Sequence, residues 1–132
     1  MVPANGPAPV SEPKTILLVE DEVLIRLVLA EELLDAGFRV RQAANGDEAL
    51  EILQSSIHLD LVMTDVRMPG SVDGLQLAAQ VRAGWPQMKI VLMSGHLMAP
   101  PPGVPADLFL VKPYQIIPSI EKIKRLLSGE GT

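Results

Sequence analysis

The sequence predicts an α/β domain built on a doubly wound, five-stranded parallel sheet with right-handed crossovers. Three observations predict it. Five short strand-like runs recur, near 15–19, 38–42, 61–65, 89–93 and 108–111. Segments with apolar residues at helical spacing separate most of these runs. Most runs are apolar without alternation, the pattern of strands covered on both faces.

Residues 1–13 hold four prolines, one glycine and little to bury, and read as a disordered, proline-rich tail or linker ahead of a domain over 14–128. Thr15-Ile16-Leu17-Leu18-Val19 is the first strand and ends at Glu20-Asp21-Glu22. A helix follows to about Asp35, with Gly37 fit for its C-terminal cap. Val23, Leu27, Ala30 and Leu34 form one apolar stripe, and Ile25, Leu29 and Leu33 form another. Two stripes suit either a helix well buried on a sheet or one that keeps an apolar face for a partner. Phe38, Val40 and Gln42 alternate with Arg39 and Arg41, as on an edge strand where charge discourages further pairing.

Asn45-Gly46 leads into a helix carrying Ala49, Leu50 and Leu53. The central strand, with Leu61, Val62 and Met63, delivers Asp65 at its carboxyl end before the loop marked by Pro69 and Gly70. Asp73 is a natural N-cap for a helix that closes at Gly84-Trp85-Pro86. Lys89-Ile90-Val91-Leu92-Met93 delivers Ser94. Pro100, Pro101, Pro102 and Pro105 then fall where the rhythm asks for a helix. Proline lacks a backbone donor and disfavours helix in the residue before it, so that helix is predicted to be short or missing. Leu108 to Val111 precede Lys112-Pro113, and Ile116, Ile120, Ile123 and Leu127 share one face of the last helix.

With 132 residues the chain supports one domain with a sizeable core. Its formal charge of −5, without a basic run, argues against nucleic acid as a partner. It has no cysteine, hence no disulfide or thiol chemistry, and its two histidines lack zinc-like spacing. No run reaches membrane-spanning length and no signal-peptide pattern opens the chain, so a soluble cytoplasmic protein without membrane contact is expected.

In a parallel sheet the carboxyl ends of the strands share one rim, where open α/β sheets bind ligands. Glu20-Asp21, Asp65, Ser94 and Lys112 all arrive there. Three crowded carboxylates require protonation or a cation, and hard oxygen ligands suit Mg2+. Lys112 can pair with Asp65 and with phosphate oxygens, and Ser94 can donate to the same phosphate. Together they make a phosphoryl-transfer site with Asp65 as nucleophile. Each residue alone has an ordinary explanation: a capping aspartate, solvated acids, a surface lysine, a strand-ending serine. Their joint arrival on one rim is hard to obtain by accident.

The segments ILLVEDE, TDVRMPG, VLMSG and LVKPY resemble the receiver domain of bacterial response regulators in two-component signalling, from about Lys14 to Ser128. The resemblance implies a flavodoxin-like sheet in the order 2-1-3-4-5. It implies Asp65 as phospho-acceptor, and Glu20, Asp21, Asp65 and the backbone carbonyl of Arg67 as Mg2+ ligands. It further implies Ser94 and Phe109 as switch residues, Lys112 as the site lysine, and a cis Lys112-Pro113 bond. The implied role is a phosphorelay signalling protein rather than an enzyme, with self-dephosphorylation. Its partner would be a histidine kinase or histidine phosphotransfer protein, whose helical bundle would dock on the first helix at Ile25, Arg26 and Leu29. A single-domain response regulator, with room for a weak homodimer, is expected. The receiver of a hybrid histidine kinase is an alternative.

The chain departs from the family pattern in three places. The 70–74 loop is about one residue longer, Phe109 lacks the hydroxyl of the tyrosine many members carry, and the 95–107 segment is shorter and proline-rich. Phosphorylation would then order this loop around Ser94 instead of shifting a formed helix. A small aspartyl-phosphate phosphatase would need a second acid two residues after the nucleophile, where Arg67 stands. A flavin-binding module would need a Ser/Thr/Gly-rich loop where Glu20-Asp21-Glu22 stands, and a receiver-like module that is never phosphorylated would not need the complete site. His96 reads as a loop residue near the site, His58 as a surface residue, and Trp85 and the methionines as packing residues.

Overall fold

The computed structural model describes residues 12–129, so the expected tail over 1–13 lies outside the described residues except for Glu12 and Pro13. Glu12 pairs with Arg39 at 3.0 Å, both side chains exposed. The elements follow in the order β1 (Thr15–Val19), α1 (Val23–Asp35), β2 (Arg39–Ala43), α2 (Gly46–Gln54), β3 (Leu61–Asp65), α3 (Gly74–Gly84), β4 (Lys89–Ser94), β5 (Leu108–Val111) and α4 (Ile116–Ser128). All strand pairs are parallel, and the sheet order is β2-β1-β3-β4-β5, as the resemblance implies.

Period-2 alternation explains the continuous apolar runs. Leu17, Val19, Val62, Ile90 and Leu92 face one way and pack with Ala49 and Leu53 of α2 and Leu77, Ala78 and Val81 of α3. Ile16, Leu18, Leu61, Met63, Val91 and Met93 face the other way and pack with Leu29, Ala30 and Leu33 of α1 and Ile120 and Ile123 of α4. β2, with Arg39 and Arg41 exposed, is an edge strand. The ends of α2 and α3 are chemically marked. The Asn45 side chain accepts from Glu48 N, and Asp73 and Gln76 form a reciprocal capping box.

The expected stripes of α1 need correction. Its buried face is Leu29, Ala30 and Leu33, drawn from both stripes, whereas Val23, Leu27 and Leu34 are exposed. A helix apolar on nearly every side gives no internal clue to which side meets the sheet. Arg26, expected on a docking face, turns inward instead: its guanidinium donates to the Glu20 carbonyl at 2.7 Å and to Gln42 Oε1 at 3.2 Å. Leu29 is a core residue.

Between β4 and β5 there is no helix. The segment is tied at both ends. Ser94 Oγ accepts from the backbone N–H of His96 and Leu97, while Asp107 Oδ2 accepts from Ile90 N and from the Arg82 guanidinium. In the middle, Val104 N donates to the Pro101 carbonyl across a turn where Gly103 has φ +81°. The Lys112-Pro113 bond is cis. His58 is exposed and pairs with Asp60 at 3.0 Å. Trp85 packs at the core margin and Met63, Met88 and Met93 are buried, but Met98 is exposed. No described helix is long and apolar enough to cross a membrane.

Candidate functional site

Strand register brings the predicted residues level. Val19 lies beside Thr64, Asp65 beside Met93, and Ser94 beside Val111. The residues that leave the sheet next, Glu20 from β1 and Lys112 from β5, therefore flank Asp65 at the rim. The Lys112 ammonium is 2.7 Å from Asp65 Oδ2 and 3.5 Å from Glu20 Oε1. Carboxylate oxygens of Glu20, Asp21 and Asp65 all lie within 4.8 Å of one another. Sequence reasoning thus named the cluster that the fold assembles.

The electrostatics follow from this crowding. Glu20 is 1% exposed, and burial pushes its carboxyl above the usual range. The Asp65 and Asp21 carboxyls push the same way, while the Glu22 amide and Lys112 oppose. For Lys112, burial works against the charged form, but hydrogen bonding and attraction to Asp65, helped by Glu20, outweigh it and raise its pKa. Burial also raises Tyr114, beside the lysine, to about 12. Its hydroxyl donates to Met93 Sδ at 3.2 Å.

One ammonium among three carboxylates leaves the cluster with excess negative charge. Oxygen-only donors with unbalanced charge fit a hard divalent cation such as Mg2+, for which no histidine or thiolate is needed. Arg67 follows Asp65 by two residues, and its amide donates to Asp65 Oδ1 at 3.4 Å, which holds that loop over the carboxylate. Ser94 is 1% exposed at the end of β4. Its Oγ accepts the His96 and Leu97 amides at 3.1 and 2.8 Å, leaving the hydroxyl proton as its remaining polar capacity. Phe109 sits on the α2/α3 side of the sheet with Leu97, Val104 and Ala106, half-buried where a helix would otherwise cover it.

Two residues support the site in ways the sequence did not suggest, Arg26 having been expected on the docking face. Arg26 fixes the Glu20 backbone, and Gly74 lies against the Asp65 backbone, donating its amide to the Val66 carbonyl at 2.8 Å. A Cβ at Gly74 would overlap the Asp65 carbonyl, so no side chain fits there. A glycine placed directly after a helix-capping aspartate was the available signal.

Comparison with known proteins agrees with this fold. The response regulator receiver domain model matches residues 16–123. Sensor kinase CckA of Brucella abortus is 36% identical over 121 residues, 88% of this chain and 13% of that protein. The DNA-binding transcriptional regulator NtrC of Escherichia coli is 33% identical over 117 residues, 86% of this chain and 24% of that protein. The chain thus spans less than a quarter of the length of these two relatives. The crystal structure of the response regulator TrrA of Thermotoga maritima, in complex with Mg2+-BeF, superposes with a TM-score of 0.78 at 36% identity, covering 86% of this chain and 98% of that one. With the family model spanning most of the domain, the chain belongs to the response regulator receiver domains of two-component systems.

Proposed function

We propose that residues 14–128 accept a phosphoryl group on Asp65 from a histidine kinase or histidine phosphotransfer protein, as a cytoplasmic signalling step. The observation that carries this reading is the setting of Asp65: central-strand end, ammonium at 2.7 Å, two further carboxylates alongside. An Asp65 oxygen attacks phosphorus, the bond to the donor nitrogen breaks, and the imidazole leaves with the electron pair and takes up a proton. Glu20, Asp21, Asp65 and the Arg67 carbonyl would hold Mg2+, which when bound offsets charge on the phosphoryl oxygens. Lys112 pairs with one of those oxygens, and the Ser94 hydroxyl donates its free proton to another.

The new charge biases a two-state surface through Ser94 and Phe109, ordering the 95–107 loop that Ser94 already anchors through two amides. Water entering the same site would return the domain to its resting state, so self-dephosphorylation belongs to this reading. The test is direct. Incubation with acetyl phosphate and Mg2+ should add one phosphoryl group by intact mass, and Asp65→Asn should add none. Full labelling of Asp65→Asn would remove the assignment.

The docking face is the apolar groove of about 560 Å³ between α1 and the turn after β5, lined by Leu24, Ile25, Val28, Pro113, Tyr114 and Ile116. Leu24 is 77% exposed, and Lys112 borders the same groove, next to the acceptor. A partner's helical bundle laid there would bring its phosphohistidine to the rim. Ile25→Asp should slow transfer from the partner roughly tenfold, the effect of one well-buried interface contact. Labelling by acetyl phosphate needs no docking and should persist. Equal loss in both assays would point to a folding defect and against the docking role.

A further inference from the structure

The cavity beside the acceptor is larger than a phosphoryl group and a hydrated cation require. It measures about 520 Å³, inside the roughly 300–1,000 Å³ range of small-molecule pockets. Its polar end is Asp21 and Ser94, both part of the site described above. The rest of the lining is mixed: Met68 and Leu75 from the β3–α3 side and Leu97 from the loop after β4 form an apolar part, and Asp73 and His96 also line it. Arg67, exposed, is the cation on this lining. Because no helix follows β4, the wall on that side is only the start of the loop.

We propose that this cavity receives the leaving group of a phosphodonor whose body is planar and apolar, the chemical class of the aromatic acyl phosphates. The inference rests on Asp65 being the phospho-acceptor. An Asp65 oxygen attacks phosphorus, the bond between phosphorus and the acyl oxygen breaks, and the arenecarboxylate departs with the electron pair. The product leaves as an anion, so the step balances without a proton donor or a redox partner. The ring lies against Met68, Leu75 and Leu97, where its removal from water is favourable. Arg67, on the same lining, supplies the positive charge for the oxygen on which negative charge develops, a stabilisation larger in the transition state than in the bound donor.

Benzoyl phosphate and acetyl phosphate break the same kind of bond and differ in the body of the leaving group. With the full chain and Mg2+, labelling rates followed by intact mass across donor concentration give a benzoyl-to-acetyl ratio of second-order constants. That ratio should be roughly tenfold higher in the wild type than in Leu97→Asn or Leu75→Asn, the effect of burying part of one ring. The wild-type ratio divided by the variant ratio cancels any difference in the donors' intrinsic reactivity. Benzoate should also slow wild-type labelling by acetyl phosphate at concentrations where acetate does not, a measurement that needs no variant to fold. A ratio indifferent to both substitutions, with benzoate no more inhibitory than acetate, overturns this inference alone. Labelling by neither donor overturns the acceptor reading and this one with it.

Discussion

Asp21→Ala is expected to label on Asp65 roughly 10²–10³-fold more slowly than the wild type, the loss typical when one electrostatic stabiliser of a transition state is removed. Asp21 belongs to the carboxylate group within 4.8 Å of Asp65, and it makes no ion pair with Lys112, which engages Asp65 and Glu20 instead. Its removal therefore leaves the lysine's contacts in place while deleting one hard oxygen ligand. The fold should survive, because Asp21 is not a core residue. Without metal the variant should melt at or above the wild-type temperature, since one of three crowded carboxylates is gone. Intact-mass labelling and magnesium titration check the first expectation, and thermal melting checks the second. Magnesium binding undiminished by the substitution would count against Asp21 as a ligand.

Gly74→Ala should cost about 3 kcal/mol, the upper range for overpacking a tight site. The atoms a Cβ would strike are the Asp65 carbonyl and the Val66 Cα, which are backbone of the acceptor segment and not flexible side-chain ends. Relief therefore requires α3 to move away from β3 or the Asp65 backbone to shift, and either change disturbs the site as well as stability. A loss of that size lowers Tm by on the order of 10 °C for a domain of this length. Labelling should slow with it. Gly84, at the other end of α3, is the control, because a Cβ there meets nothing within 4 Å. Gly84→Ala should be neutral or stabilise by up to about 1 kcal/mol through the unfolded chain. Equal melting of the two variants would mean that α3 does not constrain the acceptor segment.

Much of the site was legible in the sequence because a parallel sheet converts position along the chain into place. A polar residue that ends an apolar strand run must arrive at the shared rim, so Glu20, Asp21, Asp65, Ser94 and Lys112 could be read together. The missing helix was legible for another reason. Pro100, Pro101, Pro102 and Pro105 remove donors and restrict their neighbours, a local effect that packing does not reverse. The two stripes of α1 were not legible as to burial. Val23, Leu27 and Leu34 are as apolar as Leu33, and only contact with the sheet separates them.

What the sequence determined by itself was therefore whatever depends on local backbone chemistry or on alternation: strand and helix identity, the cap at Asp73, the absent helix, and the set of residues at the rim. What only the tertiary structure decided was whatever depends on distance between segments remote in the chain. The 2.7 Å pairing of Lys112 with Asp65 joins residues 47 positions apart, and the inward turn of Arg26 onto the Glu20 carbonyl depends on how α1 lies on the sheet. The close approach of Gly74 to Asp65 is likewise a consequence of helix–strand packing. Burial is a property of the assembled surface, so a helix with apolar residues on several sides reveals its free face only once the sheet has taken the other.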